Sequence, residues 1–174
     1  LPHVPGYLPG IDPERFLVIR DDTLFRREEI PIWYEMLESL AVSSDDMLTH
    51  QGAEKVGFVQ LYRQPNVYRG KLVQIAGTVH RATYIHDQGG NAKVPGYWQC
   101  WIQPTGTTYV IVVYSLAMPN GFPAGDQLQE EVQFTGLFYK RWAYMAVDGM
   151  RSAPLVLARR GTWSPTAGPS PTRL

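Results

Sequence analysis

The sequence predicts a mainly β domain, a five-stranded closed barrel with Greek-key connections, preceded by a short helical segment. Apolar and polar residues alternate from residue 70 to residue 81 around Gly77, and the pattern returns from residue 132 to residue 138 around Gly136. A period of two is typical of a half-buried strand, and a glycine within it marks a sharp bend or a close backbone approach. Two bent strands of one pattern, about sixty residues apart, indicate a sheet that closes on itself.

The N-terminal part of the chain, residues 1–57, is predicted to be an extended arm followed by helices that pack on the barrel. Asp12 and Pro13 are typical of a helix start, because aspartate caps the first turn and proline fits the first helical position. In the next helix Trp33 and Met36 recur at helical spacing and predict a buried face. The predicted helices cover residues 13–20, 28–41 and 45–56.

Charge is unevenly distributed, although the formal net charge of the chain is zero. Residues 1–57 contain 5 Lys and Arg against 11 Asp and Glu, whereas residues 58–161 contain 10 against 5. Either the acidic segment packs on a mildly basic barrel, or the basic surface receives an anionic partner. The neutral balance argues against tight binding dominated by phosphate contacts, because nucleic-acid-binding domains of that kind are usually strongly basic.

Residues 58–161 are predicted to form the barrel. Its strands are predicted over residues 70–85, 97–103, 108–116, 131–139 and 154–158, after a short extended segment at residues 58–64. The turn at residues 104–106 joins the second and third strands as antiparallel neighbours. Cys100 and Ile102 belong to the inward-facing set of the second strand. Residues 162–174, rich in Ser, Pro and Thr, are predicted to be a tail or linker.

This order of strands resembles that of the OB-fold, a five-stranded Greek-key barrel. The first strand of that family is long and bent at a glycine, as at Gly77, and the fourth often carries a Val-x-x-x-Gly pattern, as at Val132 and Gly136. Further segments are similar to those of uncharacterised bacterial proteins with an OB-like domain, at residues 68–73, 138–144 and 153–158. The resemblance covers roughly residues 60–160.

One feature departs from the usual OB pattern. No helix is predicted between the third and fourth strands, because residues 117–130 are rich in proline and glycine. An SH3-like or other small β-barrel is therefore the alternative fold.

The resemblance implies a ligand site on the outer face of the second and third strands. Aromatic rings beside guanidinium groups suit the stacking of nucleic-acid bases, worth on the order of 1–3 kcal/mol each, and suit sugar faces equally. The N-terminal helices offer a second interpretation, because they need a surface on which to bury their apolar stripe. The candidate residues are Tyr97, Gln99, Trp101 and Gln103, with His80 and Arg81 from the first strand and Lys140, Arg141, Trp142, Tyr144 and Arg151 from the later hairpin.

No sequence motif of nucleophilic, nucleotide-binding or metal-dependent catalysis occurs in the chain. Cys100 is the single cysteine, and His80 and His86 lack the context of a metal pair. No cofactor and no metal site is therefore predicted, and the sequence gives an enzymatic activity no support. No apolar run reaches the roughly 18 residues of a membrane-spanning helix.

Two binding functions remain open from the sequence, and a hydrolase or transferase with an unrecognised site is a third possibility. The first is a non-catalytic binding or scaffolding module of a larger, envelope-associated bacterial protein, with a protein or cell-envelope component as partner. The alternative is an OB domain that binds an oligonucleotide or oligosaccharide. A scaffold is expected to have Trp101 covered, whereas a ligand-binding domain is expected to leave Trp101 in an open groove. A cell-envelope or periplasmic location would follow if flanking regions carry an anchor.

Overall fold

The computed structural model of the chain describes residues 6–165. Two short 3₁₀ helices, Pro13–Val18 and Arg27–Glu29, come first. The α-helices are α1 Ile30–Val42, α2 Asp45–His50, α3 Phe58–Arg63 and α4 Pro65–Tyr68. The strands are β1 Glu54–Lys55, β2 Leu72–His86, β3 Gly96–Pro104, β4 Ile111–Ser115, β5 Glu130–Ala146 and β6 Gly149–Ser164.

Strands β2 to β6 pair in a closed ring. Strand β2 runs antiparallel to both β3 and β5, and β3 runs antiparallel to β4. Strand β4 then pairs in parallel with β6, and β6 pairs antiparallel with β5. Strand β1 adds two residues beside β2. This five-stranded Greek-key order is that of an OB-like barrel, so the predicted fold class is confirmed.

The inward-facing residues of the ring form the barrel's own core. Cys100 and Ile102 are buried there, as the alternation in β3 predicts, and burial raises the pKa of the Cys100 thiol to about 12. The thiol is therefore protonated at neutral pH. Other members of this core are Val73, Ile75, Val79, Ile111, Val113, Phe134, Phe138 and Val156.

The two patterned glycines allow backbones to meet closely. A Cβ atom on Gly77 would lie 2.3 Å from the carbonyl oxygen of Gln103, and one on Gly136 would lie 2.3 Å from that of Leu157. Both glycines are buried inside paired strands. The repeated pattern therefore marks the places where β2 and β5 touch a neighbouring strand without room for a side chain.

Replacing Gly77 with alanine is expected to lower the free energy of unfolding by about 1–3 kcal/mol, because the added methyl group overpacks the β2–β3 contact. Chemical denaturation followed by tryptophan fluorescence measures this loss. Gly57→Ala is the matched control, since a Cβ atom there meets nothing within 4 Å. Equal midpoints for the two variants would contradict the close approach at Gly77.

A second core lies outside the ring, where α1 packs on the barrel. The buried face of α1 carries Ile32, Trp33, Met36, Leu37 and Leu40. It meets outward-facing barrel residues that are themselves buried, namely Val112, Tyr114, Leu137, Tyr139, Leu155 and Leu157. The N-terminal helices thus bury their apolar stripe on an aromatic face of the barrel.

A buried ion pair holds the segment before α1 to the barrel. The Nζ atom of Lys140 lies 2.7 Å from Oε1 of Glu29, and both side chains are almost completely buried. Lys140 also donates to Oγ1 of Thr23 and to the carbonyl oxygen of Leu24. Burial lowers the pKa of the Lys140 ammonium, and the hydrogen bond and charge of Glu29 oppose that shift.

Several predicted boundaries differ from the structure. Residues 58–64, predicted to be extended, begin with helix α3, because the Gln60 side chain accepts a hydrogen bond from the Gly57 amide and Leu61 is buried. Helix α2 ends at His50, six residues earlier than predicted. Strand β6, predicted over residues 154–158, runs from Gly149 to Ser164 because it pairs with β5 along most of its length.

Parts of the predicted arm and tail, residues 1–5 and 166–174, lie outside the described residues. The division of the chain at residues 57 and 161 stays a prediction.

Candidate binding cleft

Helix α1 covers one end of the predicted ligand face. The ring of Tyr97 meets the edge of Trp33 with centroids 5.8 Å apart and stacks on Tyr114 at 5.1 Å. Burial and the negative charge of the nearby Asp87 raise the pKa of the Tyr97 hydroxyl, so it stays protonated. Tyr97 is therefore part of the contact between α1 and the barrel.

Trp101, further along β3, lies at the other end of the face. Its ring is half-buried and meets the edge of Tyr144 with centroids 4.9 Å apart. Its indole Nε1 donates to Oε1 of Gln99, which in turn donates through Nε2 to the Tyr114 hydroxyl. Trp142, which is buried, lies 6.2 Å away. Trp101 and Tyr144 therefore extend the aromatic cluster that Tyr97 and Tyr114 form beneath α1.

The remaining polar candidates on β2 and β3 bond mostly to each other. Nε2 of His80 lies 2.8 Å from Oε1 of Gln103, and Nδ1 of His80 lies 3.2 Å from the carbonyl oxygen of Leu128. Gln103 also donates to the carbonyl oxygen of Thr107. Arg81 is exposed on β2. His80 and Gln103 therefore connect β2 and β3 to the segments that contain Leu128 and Thr107.

The basic candidates are separated by the structure. Lys140 is buried beneath the N-terminal segment, and Arg141 forms an ion pair of 2.8 Å with Asp22. Arg151 lies at the exposed β5–β6 hairpin, where it pairs with Asp148. Lys140 and Arg141 therefore do not form one basic surface patch with Trp142.

A cleft of about 870 Å³ lies between α3, the start of β4 and the β5–β6 hairpin. We call it the aromatic cleft. It is lined by Tyr144 and Arg151, which are predicted site residues, and by other side chains that were not predicted to belong to a site. Its lining consists of Asp22, Phe58, Val59, Tyr62, Arg63, Thr108, Tyr109, Val110, Ala143, Tyr144, Met150, Arg151, Ser152 and Ala153.

Three rings of the aromatic cleft form a parallel column. Phe58 stacks on Tyr109 with centroids 4.5 Å apart and planes 10° apart, and on Tyr62 at 5.1 Å and 18°. The Arg141 guanidinium lies 5.4 Å from the Tyr62 ring at the far end. Tyr109 at the open end is 57% exposed. The column therefore presents an aromatic surface to solvent.

The cleft carries both signs of charge. Arg63 and Arg151 are exposed cations on opposite walls. Burial acts to raise the pKa of Asp22, but hydrogen bonds from Ser152 and Arg141 and the charge of Arg141 outweigh it, so the pKa is lowered. Asp22 is therefore a carboxylate at neutral pH, and it neutralises Arg141.

Sequence reasoning missed Phe58, Tyr62, Arg63 and Tyr109. The first three lie in residues 58–64, where an extended segment was predicted. The spacing of Phe58 and Tyr62, four residues apart, is the available signal, because it places both rings on one face of a helix.

Within residues 6–165, no group of three or more His, Cys, Asp or Glu side chains is placed to hold a metal ion. None of the helices within those residues has an apolar run of the length that spanning a bilayer requires.

Neither a protein-family model nor a curated protein matches the chain. Among solved structures it is similar to a mitochondrial single-stranded DNA-binding protein from S. cerevisiae, at 12% sequence identity and a TM-score of 0.35. That match covers 53% of this chain and 93% of the other. The class of this protein, an OB-like β domain, follows from the order of its own strands.

Proposed function

We propose that this domain binds single-stranded nucleic acid in the aromatic cleft. The observation that carries the proposal is the parallel column of Tyr62, Phe58 and Tyr109, which ends on an exposed ring. A base can extend such a column by stacking on Tyr109, and stacking is tolerant of sequence because every base has a π-face. Arg63 and Arg151 stand beside the column, where they can contact phosphates.

The charge of the cleft predicts how binding depends on salt. Arg63 and Arg151 can make at most about two phosphate contacts, because Arg151 already pairs with Asp148, so log K should fall against log salt with a slope no steeper than about −1.4 for a single strand. Base stacking, which is less sensitive to salt, supplies the rest of the binding free energy. This explains how a chain of zero net charge could bind nucleic acid.

Fluorescence anisotropy of a labelled oligothymidylate tests the proposal. Tyr109→Ala is expected to weaken binding about tenfold, which corresponds to one lost stacking contact. Tyr84→Ala is the matched control, because Tyr84 is a partly exposed tyrosine of β2 outside the cleft. Absence of saturable binding by the unmodified chain at low salt would overturn the proposal, and so would equal effects of the two variants.

The same assay tests the two phosphate contacts. Arg63→Ala is expected to make the salt slope shallower by about 0.7, whereas Arg27→Ala, an exposed arginine outside the cleft, should leave it unchanged. A slope that is identical in both variants would show that Arg63 contacts no phosphate.

An oligosaccharide is the second candidate, favoured by the ionised Asp22 on the cleft wall. Its carboxylate already accepts a hydrogen bond of 2.6 Å from Ser152. Such a group can also accept hydrogen bonds from sugar hydroxyls, and it repels phosphate. Competition of neutral glycans against the labelled oligothymidylate separates the two ligands, since a glycan bound at Tyr109 would displace the strand.

The non-catalytic scaffold of a larger, envelope-associated bacterial protein stays a prediction. A scaffolding function predicts that Trp101 is covered by the helices or by another chain. Helix α1 packs on Tyr97 instead, and Trp101 packs on Tyr144 at the edge of the cleft. The Tyr97 end of the face therefore packs on the helices, whereas Tyr144 at the other end lines the aromatic cleft.

A further inference from the structure

A β-bulge in β6 turns two consecutive arginines to the same side of the sheet. Arg159 and Arg160 together lie opposite the single residue Thr135 of β5, because the register of the two strands shifts there. In a regular strand successive side chains point to opposite faces, whereas a bulge re-aims one of them. The flanking residues Ala158 and Gly161 both face the barrel core. The two arginines between them therefore both face outward.

Both guanidinium groups bind one carboxylate at the start of α2. Nη1 of Arg159 lies 2.7 Å from Oδ1 of Asp45, and Nη2 of Arg160 lies 2.6 Å from Oδ2. The hydrogen bond from Arg160 and the charges of both arginines lower the pKa of the Asp45 carboxyl against the opposing effect of burial, so Asp45 is ionised at neutral pH. Two positive charges thus share one negative charge, and one positive charge remains in excess.

Lys93 adds a third cation on the other side of the two arginines. It lines a depression of about 250 Å³ together with Arg159 and Arg160, over a floor that includes Leu116. We call it the basic depression. None of the described residues that line it is acidic. Lys93 is exposed, and within residues 6–165 its ammonium forms no ion pair. The basic depression therefore has a concentrated positive charge.

We infer that the basic depression binds a phosphate group, held by Lys93, Arg159 and Arg160. The planar fork of N–H donors on a guanidinium matches phosphate oxygens, and an ammonium adds a point charge. Within the described residues each of the two guanidinium groups makes one hydrogen bond, to Asp45, so further N–H donors are available. The phosphate and Asp45 thus share the two arginines.

The size of the basic depression limits its ligand. Clefts that hold drug-sized molecules usually measure roughly 300–1,000 Å³, and this one is smaller. It therefore suits a single phosphate group, as inorganic phosphate or as the end of a phosphate ester. None of its three cations lines the aromatic cleft, so this inference is independent of the proposed function.

An ion pair that only ties α2 to β6 would need fewer cations. One guanidinium can neutralise Asp45 by itself with two parallel hydrogen bonds. The second arginine and Lys93 are not required for that purpose. Their excess charge is what a phosphate dianion would neutralise.

Titration of the full chain with inorganic phosphate, followed by proton–nitrogen NMR at an ionic strength held constant with chloride, tests this inference. We expect saturable shifts of the backbone amides of Lys93, Ala117 and Arg160 at millimolar phosphate. Lys93→Gln should weaken binding about tenfold, the effect of one lost charge-assisted hydrogen bond. Lys55→Gln is the matched control and should bind normally, because Lys55 is exposed and lies outside the basic depression.

Asp45→Asn separates a phosphate site from a purely structural ion pair. It removes the carboxylate that competes for the arginines, so phosphate should bind up to about fivefold more tightly. The Lys93 variant keeps the test independent of folding, since the Lys93 side chain is exposed. The inference is overturned if no saturable shift occurs, if the two lysine variants behave alike, or if Asp45→Asn binds no more tightly than the unmodified chain.

The anisotropy assay with labelled oligothymidylate identifies the source of the phosphate. Unchanged strand affinity in Lys93→Gln is expected, and it would assign the basic depression to a separate small phosphate compound. Weaker strand binding in this variant would instead assign it to a backbone phosphate of the strand. If no strand binds at all, the proposed function fails, whereas the phosphate titration still decides this inference.

Discussion

Replacing Glu29 with glutamine is expected to lower the free energy of unfolding by about 3–5 kcal/mol. The change leaves the Lys140 ammonium charged and unpaired in the interior, where it is 0% exposed. The Glu29 carboxylate also accepts hydrogen bonds from the backbone amides of Arg20 and Arg26. Its loss therefore loosens the whole segment that leads into α1.

Chemical denaturation measures this effect, and a paired substitution isolates its cause. The double variant Glu29→Gln with Lys140→Met should recover much of the lost stability, because no buried charge is then left without a partner. Asp148→Asn removes the exposed pair with Arg151 and should leave the midpoint unchanged. If Glu29→Gln lowers the free energy of unfolding as little as Asp148→Asn does, the buried pair does not hold the segment in place.

Replacing Trp33 with alanine is also expected to cost about 3–5 kcal/mol, because it empties the centre of the contact between α1 and the barrel. The Trp33 ring meets Tyr97, Tyr114 and Tyr139 edge-on, with centroids between 5.2 and 5.8 Å apart. The loss should therefore appear as both lower stability and greater exposure of Tyr97.

Thermal and chemical unfolding give the stability of the Trp33 variant, and the accessibility of tyrosines to a solvent perturbant gives the exposure. Val42→Ala in the same helix is the control, since Val42 is 81% exposed and its loss removes little packing. Unchanged tyrosine exposure in Trp33→Ala would mean that α1 does not depend on this ring for its position.

The barrel was predictable because its determinants are local in the sequence. The alternation around Gly77 and around Gly136 encodes two bent strands, and the Pro104–Gly106 turn encodes a hairpin between β3 and β4. Each pattern needs only a few neighbouring residues to be recognised. The parallel pairing of β4 with β6 was not predicted, since no local pattern specifies it.

The site was less predictable because it depends on which side of a strand each residue occupies. Lys140, Arg141 and Trp142 are consecutive in the sequence and looked like one cluster, but successive side chains of a strand point to opposite faces. Lys140 and Trp142 are buried beneath the N-terminal segment, and Arg141 turns toward Tyr62.

The aromatic column itself depends on tertiary structure. Phe58 and Tyr62 belong to a helix of six residues, whereas Tyr109 comes from the approach to β4 about fifty residues later. No sequence pattern connects the two segments. Their stacking depends on how α3 packs beside the chain that leads into β4.

Ultraviolet cross-linking of a bound oligothymidylate, followed by mass spectrometry of the cross-linked peptides, tests the central claim most directly. The account predicts cross-links at Tyr109 and Tyr144 in the aromatic cleft, with none at Tyr97 beneath α1. Cross-links confined to Tyr97 and the rest of the covered face, or to residues outside the cleft such as Tyr84, would contradict it.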